Sequence, residues 1–167
     1  MKNRKGFTLV ELLAAMVILG LIMGIAIPNI MGVIKSNKEK TYVADAKKLL
    51  SVAEYKFRGD SKITRPSSTS NCTVMSLNYL DNGEFEKDPN GKAYNKDKSF
   101  VTITKEGSTY VFYVTLVDSK GKGVEYKKLE ELDDNKASSV ISERVNINFD
   151  GSNVSGKCTC SPSGCYK

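Results

Sequence analysis

Histidine is absent from this chain of 167 residues, and the absence excludes more than one residue type. Without imidazole there is no usual general base near neutral pH, no serine or cysteine triad that depends on one, and few mixed-ligand metal sites. Neither a G-x-S-x-G elbow nor a G-x-x-x-x-G-K-[ST] loop occurs, so hydrolase and nucleotide-binding readings lack their carriers. The sequence therefore predicts no enzyme, no catalytic residue, no metal site of the usual kinds and no cofactor. Basic clusters interleaved with aromatics are missing too. The formal net charge is +6, but without such a patch no specific nucleic-acid partner is expected. There is no internal repeat, and no cysteine before Cys72.

What is present is a long apolar run. Residues 12–34 carry no formal charge over 23 positions, and a helix of about 20 apolar residues crosses a hydrocarbon core of ~30 Å. Glu11 sits at the leading edge of this run, where a charge entering lipid or a dry interface costs at least ~2.5 kcal/mol. It needs a partner. A secretory signal would pair a basic start with an apolar region of ~7–15 residues and a small-residue cleavage site. Lys2, Arg4 and Lys5 supply the first, but the run is too long and no A-x-A site follows. A lipoprotein signal would need a cysteine just after the run. A plain single-span anchor with its N-terminus inside agrees with the positive-inside rule, yet leaves Glu11 unexplained. A cut between Gly6 and Phe7 would explain it, because the new Phe7 amine would lie one helical turn from Glu11.

These residues carry a family resemblance. Lys5-Gly6-Phe7-Thr8-Leu9-Val10-Glu11-Leu12 resembles the processing signature of type IV pilins and type II secretion pseudopilins. The resemblance implies cleavage after Gly6 by a prepilin peptidase, N-methylation of Phe7, and packing of the apolar helices into a filament core. The implied partners are other copies of the chain, related pilins, the membrane platform of pilus assembly, and cytoplasmic membrane lipid before assembly. The implied location is the cytoplasmic membrane, single-pass, then the cell surface. Removing residues 1–6 leaves 161 residues and, with Lys2, Arg4 and Lys5 gone, lowers the net charge from +6 to +3. Pilus subunit, secretion pseudopilin and DNA-uptake pseudopilin share this signature. A membrane-tethered extracellular binding module that never assembles is the reading from a different class.

Within the run, Gly20, Gly24, Pro28 and Gly32 recur every four residues and so share one helix face. Small residues at this spacing let helices approach closely, while glycine and proline weaken the helix that carries them. Pro28 stands where many type IV pilins carry a kink-forming proline, and the resemblance implies that the helix from Gly20 to Pro28 unwinds inside a filament. A simple dimer face or lipid-exposed composition is the plainer reading.

The expected organisation is a leader at 1–6, an apolar membrane and assembly helix at 7–34, and a head at 35–167. In the head, Tyr42, Ala46, Leu49, Ala53 and Phe57 step by three or four, with Val43 and Leu50 alongside, as an amphipathic helix over 35–58. No strong breaker separates the two halves, so one helix of 52 residues over 7–58 is predicted, ~78 Å long at 1.5 Å per residue. A loop region over 59–98 contains a short helix around Val74, Leu77, Tyr79 and Leu80, and a tight turn at Asp88-Pro89-Asn90-Gly91. Neither this turn nor residues 118–123 have the spaced oxygen ligands of an EF-hand. The sheet region over 99–149 opens with a hairpin: Phe100, Val101 and Ile103 lead into a turn at 105–108, and a dense β-branched and aromatic strand over 110–117 leads out. A helix over 127–141 and a strand over 145–149 complete it. The fold class is α+β, a long helix on an antiparallel sheet, in agreement with the pilin head that the resemblance implies.

Cys158, Cys160 and Cys165 crowd the tail at 150–167. Cys158 and Cys160 are too close to pair readily, so the expected scheme joins Cys72 to one tail cysteine and Cys165 to Cys158 or Cys160. A tetrathiolate zinc, for which C-x-C is a poor spacing, and unpaired thiols are the alternatives. Pilins often close a C-terminal loop with a disulfide, although the C-x-C arrangement does not match that pattern.

Overall fold

The computed structural model describes residues 8–167. The chain divides into two compact units that meet between Asn37 and Lys38, and one helix, α1 (Leu9–Gly59, 51 residues), belongs to both. The single helix expected over 7–58 is thus present within one or two residues of its limits.

In the first unit α1 is helical without interruption through position 28. Its large apolar side chains between 9 and 34 are all 49–75% exposed. It is long and apolar enough to cross a membrane.

The second unit is a layered α+β domain. Its sheet has the strand order β5-β4-β3-β2-β1-β7-β6, built from β1 (Asn71–Ser76), β2 (Phe100–Glu106), β3 (Thr109–Val117), β4 (Gly123–Lys127), β5 (Ile141–Ser142), β6 (Asn153–Val154) and β7 (Cys158–Tyr166). β1 and β7 run parallel and the other neighbours antiparallel. Tyr42, Ala46, Leu49, Ala53 and Phe57 of α1 are all buried, in one core with Met75, Val101, Ile103, Val114 and Leu116 of the sheet. A second cluster gathers Cys72, Val74, Phe100, Phe149, Val154, Cys158 and Cys160. The alternation of strand side chains therefore supplies two dry surfaces.

The predicted hairpin is β2–β3. Its two-residue turn places Gly107 at φ +59°, the left-handed conformation that suits the twist of a tight hairpin. Gly123 answers a different demand: a Cβ there would lie 1.9 Å from the Leu116 carbonyl oxygen, so β4 can approach β3 only through a glycine. The turns at Asp88 and Asp118 are built alike. Each aspartate N–H reaches the carbonyl four residues on (Lys92 at 2.5 Å, Lys122 at 2.8 Å), and each Oδ1 accepts the N–H groups two and four residues ahead, at 2.7–3.0 Å.

Three expectations are corrected. Val74 belongs to strand β1, and the short helix α2 (Leu77–Leu80) begins only after Ser76, whose hydroxyl accepts the Tyr79 N–H at 3.2 Å. The helix expected over 127–141 is broken into two 3-10 turns, Leu129–Glu131 and Asp134–Lys136, then α3 (Ala137–Val140), then β5. Asp133 is the reason: its carboxylate caps a new turn at Asn135 N–H, 2.9 Å away, and short polar side chains prefer such caps to helix interiors. Residues 145–149 are not a strand, because the Glu125 carboxylate takes the N–H groups of Asn146 (2.8 Å) and Ile147 (2.9 Å). Phe149 alone forms an isolated bridge, with Val154.

Candidate functional site: the N-terminal helix and the stapled tail

In the first described turn of α1, Glu11 is bound to Thr8. Glu11 Oε2 accepts the Thr8 N–H at 2.8 Å and the Thr8 hydroxyl at 2.7 Å, while the Thr8 hydroxyl accepts the Glu11 N–H at 3.3 Å. This reciprocal T-x-x-E arrangement is a capping box, which satisfies N–H groups that a helix start leaves without partners. It also sets a carboxylate at the positive end of the helix dipole. The spacing Thr8-Leu9-Val10-Glu11 before an apolar run is the sequence signal for such a box. Gly6 and Phe7, the expected cleavage and methylation positions, lie outside the described residues.

Beyond the cap, the glycine face is open. An added Cβ at Gly20, Gly24 or Gly32 would meet nothing within 4 Å, so this face is free to take a closely packed neighbour. The three glycines extend over ~18 Å of helix. Pro28 falls within the same helical stretch.

At the other end of the chain all four cysteines are bonded, Cys72 to Cys158 and Cys160 to Cys165. The first bridge spans 86 residues and joins β1 to β7; the second spans five within β7. With every sulfur in a disulfide, no thiolate remains for the tetrathiolate zinc. Among the described residues no three carboxylate or cysteine groups converge as metal ligands do.

The start of the head helix is held by polar contacts, from buried to exposed. The Tyr42 hydroxyl donates to Asp118 Oδ2 at 2.6 Å and accepts from Asn90 Nδ2 at 3.2 Å, and Lys38 Nζ donates to Asn90 Oδ1 at 2.9 Å. Tyr94 donates to Asp45 Oδ2 at 2.6 Å. Burial, reinforced by these carboxylates, raises both phenols far above their usual range, so they remain donors at any ordinary pH. Burial also raises the Asp45 carboxyl, against the opposing effect of the Tyr94 hydrogen bond. These contacts tie the helix to Asn90, Tyr94 and Asp118.

Residues 1–27 match the family model of the prokaryotic N-terminal methylation motif. No curated protein matches the chain, and no solved structure does. The motif and the architecture agree, with a long apolar helix leading into an α+β head with a mostly antiparallel sheet. The N-terminal motif supports placing the chain with the type IV pilins and pseudopilins.

Proposed function

We propose that this chain is the structural subunit of a type IV pilus or pilus-like filament, cut after Gly6 by a prepilin peptidase and N-methylated on Phe7. The observation that carries the reading is the uncovered apolar helix from Leu9 onward, attached to a head whose own core is already complete. Apolar surface outside water is stabilised by roughly 25 cal/mol per Å², so this helix resides either in lipid or among like helices. The open face at Gly20, Gly24 and Gly32, with Pro28 in the same row, suits the second environment. Glu11 closes its own cap on Thr8 and stands ready for the Phe7 amine of its own or a neighbouring chain, which would fix axial register between subunits.

Mass analysis of the mature N-terminus is the direct test, with a methylated Phe7 as the expected result. An intact Gly6-Phe7 bond in mature cells would replace this reading with a tethered, unassembled binding module. Glu11→Ala should leave cleaved protein in the membrane but few filaments in the sheared surface fraction. Abundant wild-type chain in that fraction identifies a pilus subunit, whereas its absence there despite methylation points to a pseudopilin of a secretion or DNA-uptake system.

A further inference from the structure

β2 pairs with β3 along its whole length, from Glu106↔Thr109 to Phe100↔Thr115. β4 meets β3 only at Val114, Leu116 and Val117, so residues 109–113 have a sheet neighbour on one side alone. Because Glu106 and Thr109 close a two-residue turn, the backbone groups of Thr109, Val111 and Tyr113 face β2, and those of Tyr110 and Phe112 face the open side. Among the described residues no backbone partner for Tyr110 or Phe112 occurs on that side. Natural edges are usually blunted by lysine, proline or a bulge. Thr109-Tyr110-Val111-Phe112-Tyr113 has no lysine or proline, and the one irregularity against β4 comes later, between Val114 and Leu116.

The open edge lies in a groove of about 330 Å³ between α1, at Leu50 and Glu54, and the turn at Lys128 and Leu129. Leu129 is 57% exposed and Tyr110 39%, so the walls offer apolar side chains to an occupant. A second hollow, of about 690 Å³, shares Thr109, Tyr110 and Phe112 with this groove and is lined also by Arg58 and Arg65. Most cations along it are already matched: Arg58 by Glu54 at 2.7 Å, Lys127 by Glu131 and Lys128 by Glu130, each at 3.2 Å. Arg65 is different. Its guanidinium lies on the Phe57 ring, 3.9 Å from the centroid, and donates to the Phe57 carbonyl, and no carboxylate pairs with it among the described residues. A planar guanidinium held in place in this way, with further N–H groups to donate, is suited to a carboxylate.

We propose that the open edge of β3 binds an acidic, extended polypeptide segment by strand addition. The backbone of the segment pairs with Tyr110 and Phe112, an alternate side chain rests on Leu129 and Tyr110, and a carboxylate at the hairpin end reaches Arg65. This is a recurrent mode of peptide recognition, in which backbone pairing gives affinity and side pockets give specificity. The surface lies wholly in the head, and the proposal stands apart from the filament role.

The test uses the full chain in detergent micelles and a phage-displayed library of random heptapeptides. The expected selection is of peptides with alternating β-branched or aromatic residues and an aspartate or glutamate towards one end. A synthetic copy of the most enriched sequence should slow amide exchange at Tyr110 and Phe112. Arg65→Gln should weaken its binding about tenfold, the loss expected for one charge-assisted hydrogen bond, and Tyr110→Pro should abolish binding by removing an edge donor. No enrichment over empty micelles, enrichment without an acidic bias, or unchanged exchange at both amides would each overturn the proposal. So would concentration-dependent dimers that Tyr110→Pro dissociates, since the occupant would then be a second copy of this chain.

Discussion

Two stretches of the same helix have opposite environments. Between 9 and 34 the large apolar side chains of α1 are exposed on every side, and between 42 and 57 an apolar stripe of the same helix is sealed against a sheet. The composition of the two stretches explains the contrast. The first stretch is apolar all round, so no single covering layer can bury it, whereas the second has charged and polar residues between its apolar ones and needs only one covered face. The head is complete as a folded object, and on the proposed reading the apolar stretch is covered by lipid or by other helices.

If that division is correct, changes in the head should alter unfolding, and changes in the apolar stretch should alter assembly. The largest effect on unfolding should come from the disulfides. In the chain-entropy view, losing the Cys72–Cys158 bridge, with a separation of 86, costs ~4.5 kcal/mol, and losing Cys160–Cys165, with a separation of five, costs ~2 kcal/mol. The double variants Cys72→Ser/Cys158→Ser and Cys160→Ser/Cys165→Ser, unfolded with urea in micelles, should therefore differ in midpoint in that order. Equal losses, or a variant that no longer fractionates with membranes, would break the division.

A pair of truncations within α1 tests it more directly. Leu49 is fully buried and Ile22 is 57% exposed. Leu49→Ala should cost about 3 kcal/mol of head stability, as cavity-forming changes do, while Ile22→Ala should leave the urea midpoint unchanged and act only on filament yield. An Ile22→Ala midpoint shifted as far as that of Leu49→Ala would show that the exposed stretch is part of the head's folding unit.

The same contrast explains which parts of the fold were legible in the sequence. The apolar run, the stripe from Tyr42 to Phe57 and the β2–β3 hairpin all announce themselves through periodicity, and all three are present. The missed strands lack that signal. β1 was hidden because Val74 could be read with Leu77 and Leu80 as helix; β4 is only five residues long and begins with a glycine. β7 reads as a loop in composition, Cys158-Thr159-Cys160-Ser161-Pro162-Ser163-Gly164-Cys165-Tyr166. Its place in the sheet depends on pairing with β1 and on the bridge to Cys72, both long-range. The false strand at 145–149 failed for the converse reason, since alternating apolar residues do not form a strand when a distant carboxylate, Glu125, has taken their N–H groups. At the candidate site, the Thr8–Glu11 box was legible in its spacing, but the open edge of β3 was not, since it depends on how far β4 extends.

A smaller effect should sharpen the picture at the helix start. Thr8→Ala removes the hydroxyl that both accepts the Glu11 N–H and donates to the Glu11 carboxylate. It should cost ~1 kcal/mol of local helix stability, seen as faster amide exchange in the first turn in micelles. Thr8→Ser should restore protection, and the urea midpoint of the head should stay unchanged in both variants. Slow first-turn exchange in Thr8→Ala would remove the capping box as the feature that holds the start of α1.

The smallest effect is electrostatic and belongs to the head alone. Asp81 follows α2, and its side chain is 4% exposed. Burial works against its charge, but Lys96 Nζ at 2.7 Å and the N–H groups of Phe85 and Gly83 outweigh it, so the carboxyl lies below its ordinary value. A carboxyl depressed in the folded state adds stability that is fully present above the unfolded value of about 3.9 and is lost as pH falls through the lower folded value. Lys96 is 43% exposed, and solvent screening holds the contribution to no more than about 1 kcal/mol. Asp81→Asn should therefore lower the urea midpoint slightly at pH 7, and the gap from the wild type should close as pH falls from about 4 towards 2. A gap that stays constant over that interval would mean that the substituted amide merely packs worse than the carboxyl of Asp81, with no contribution from charge. The helix content of the apolar stretch, followed by exchange at 12–34, should not respond to this substitution at any pH, because no group that senses Asp81 lies in that stretch of α1.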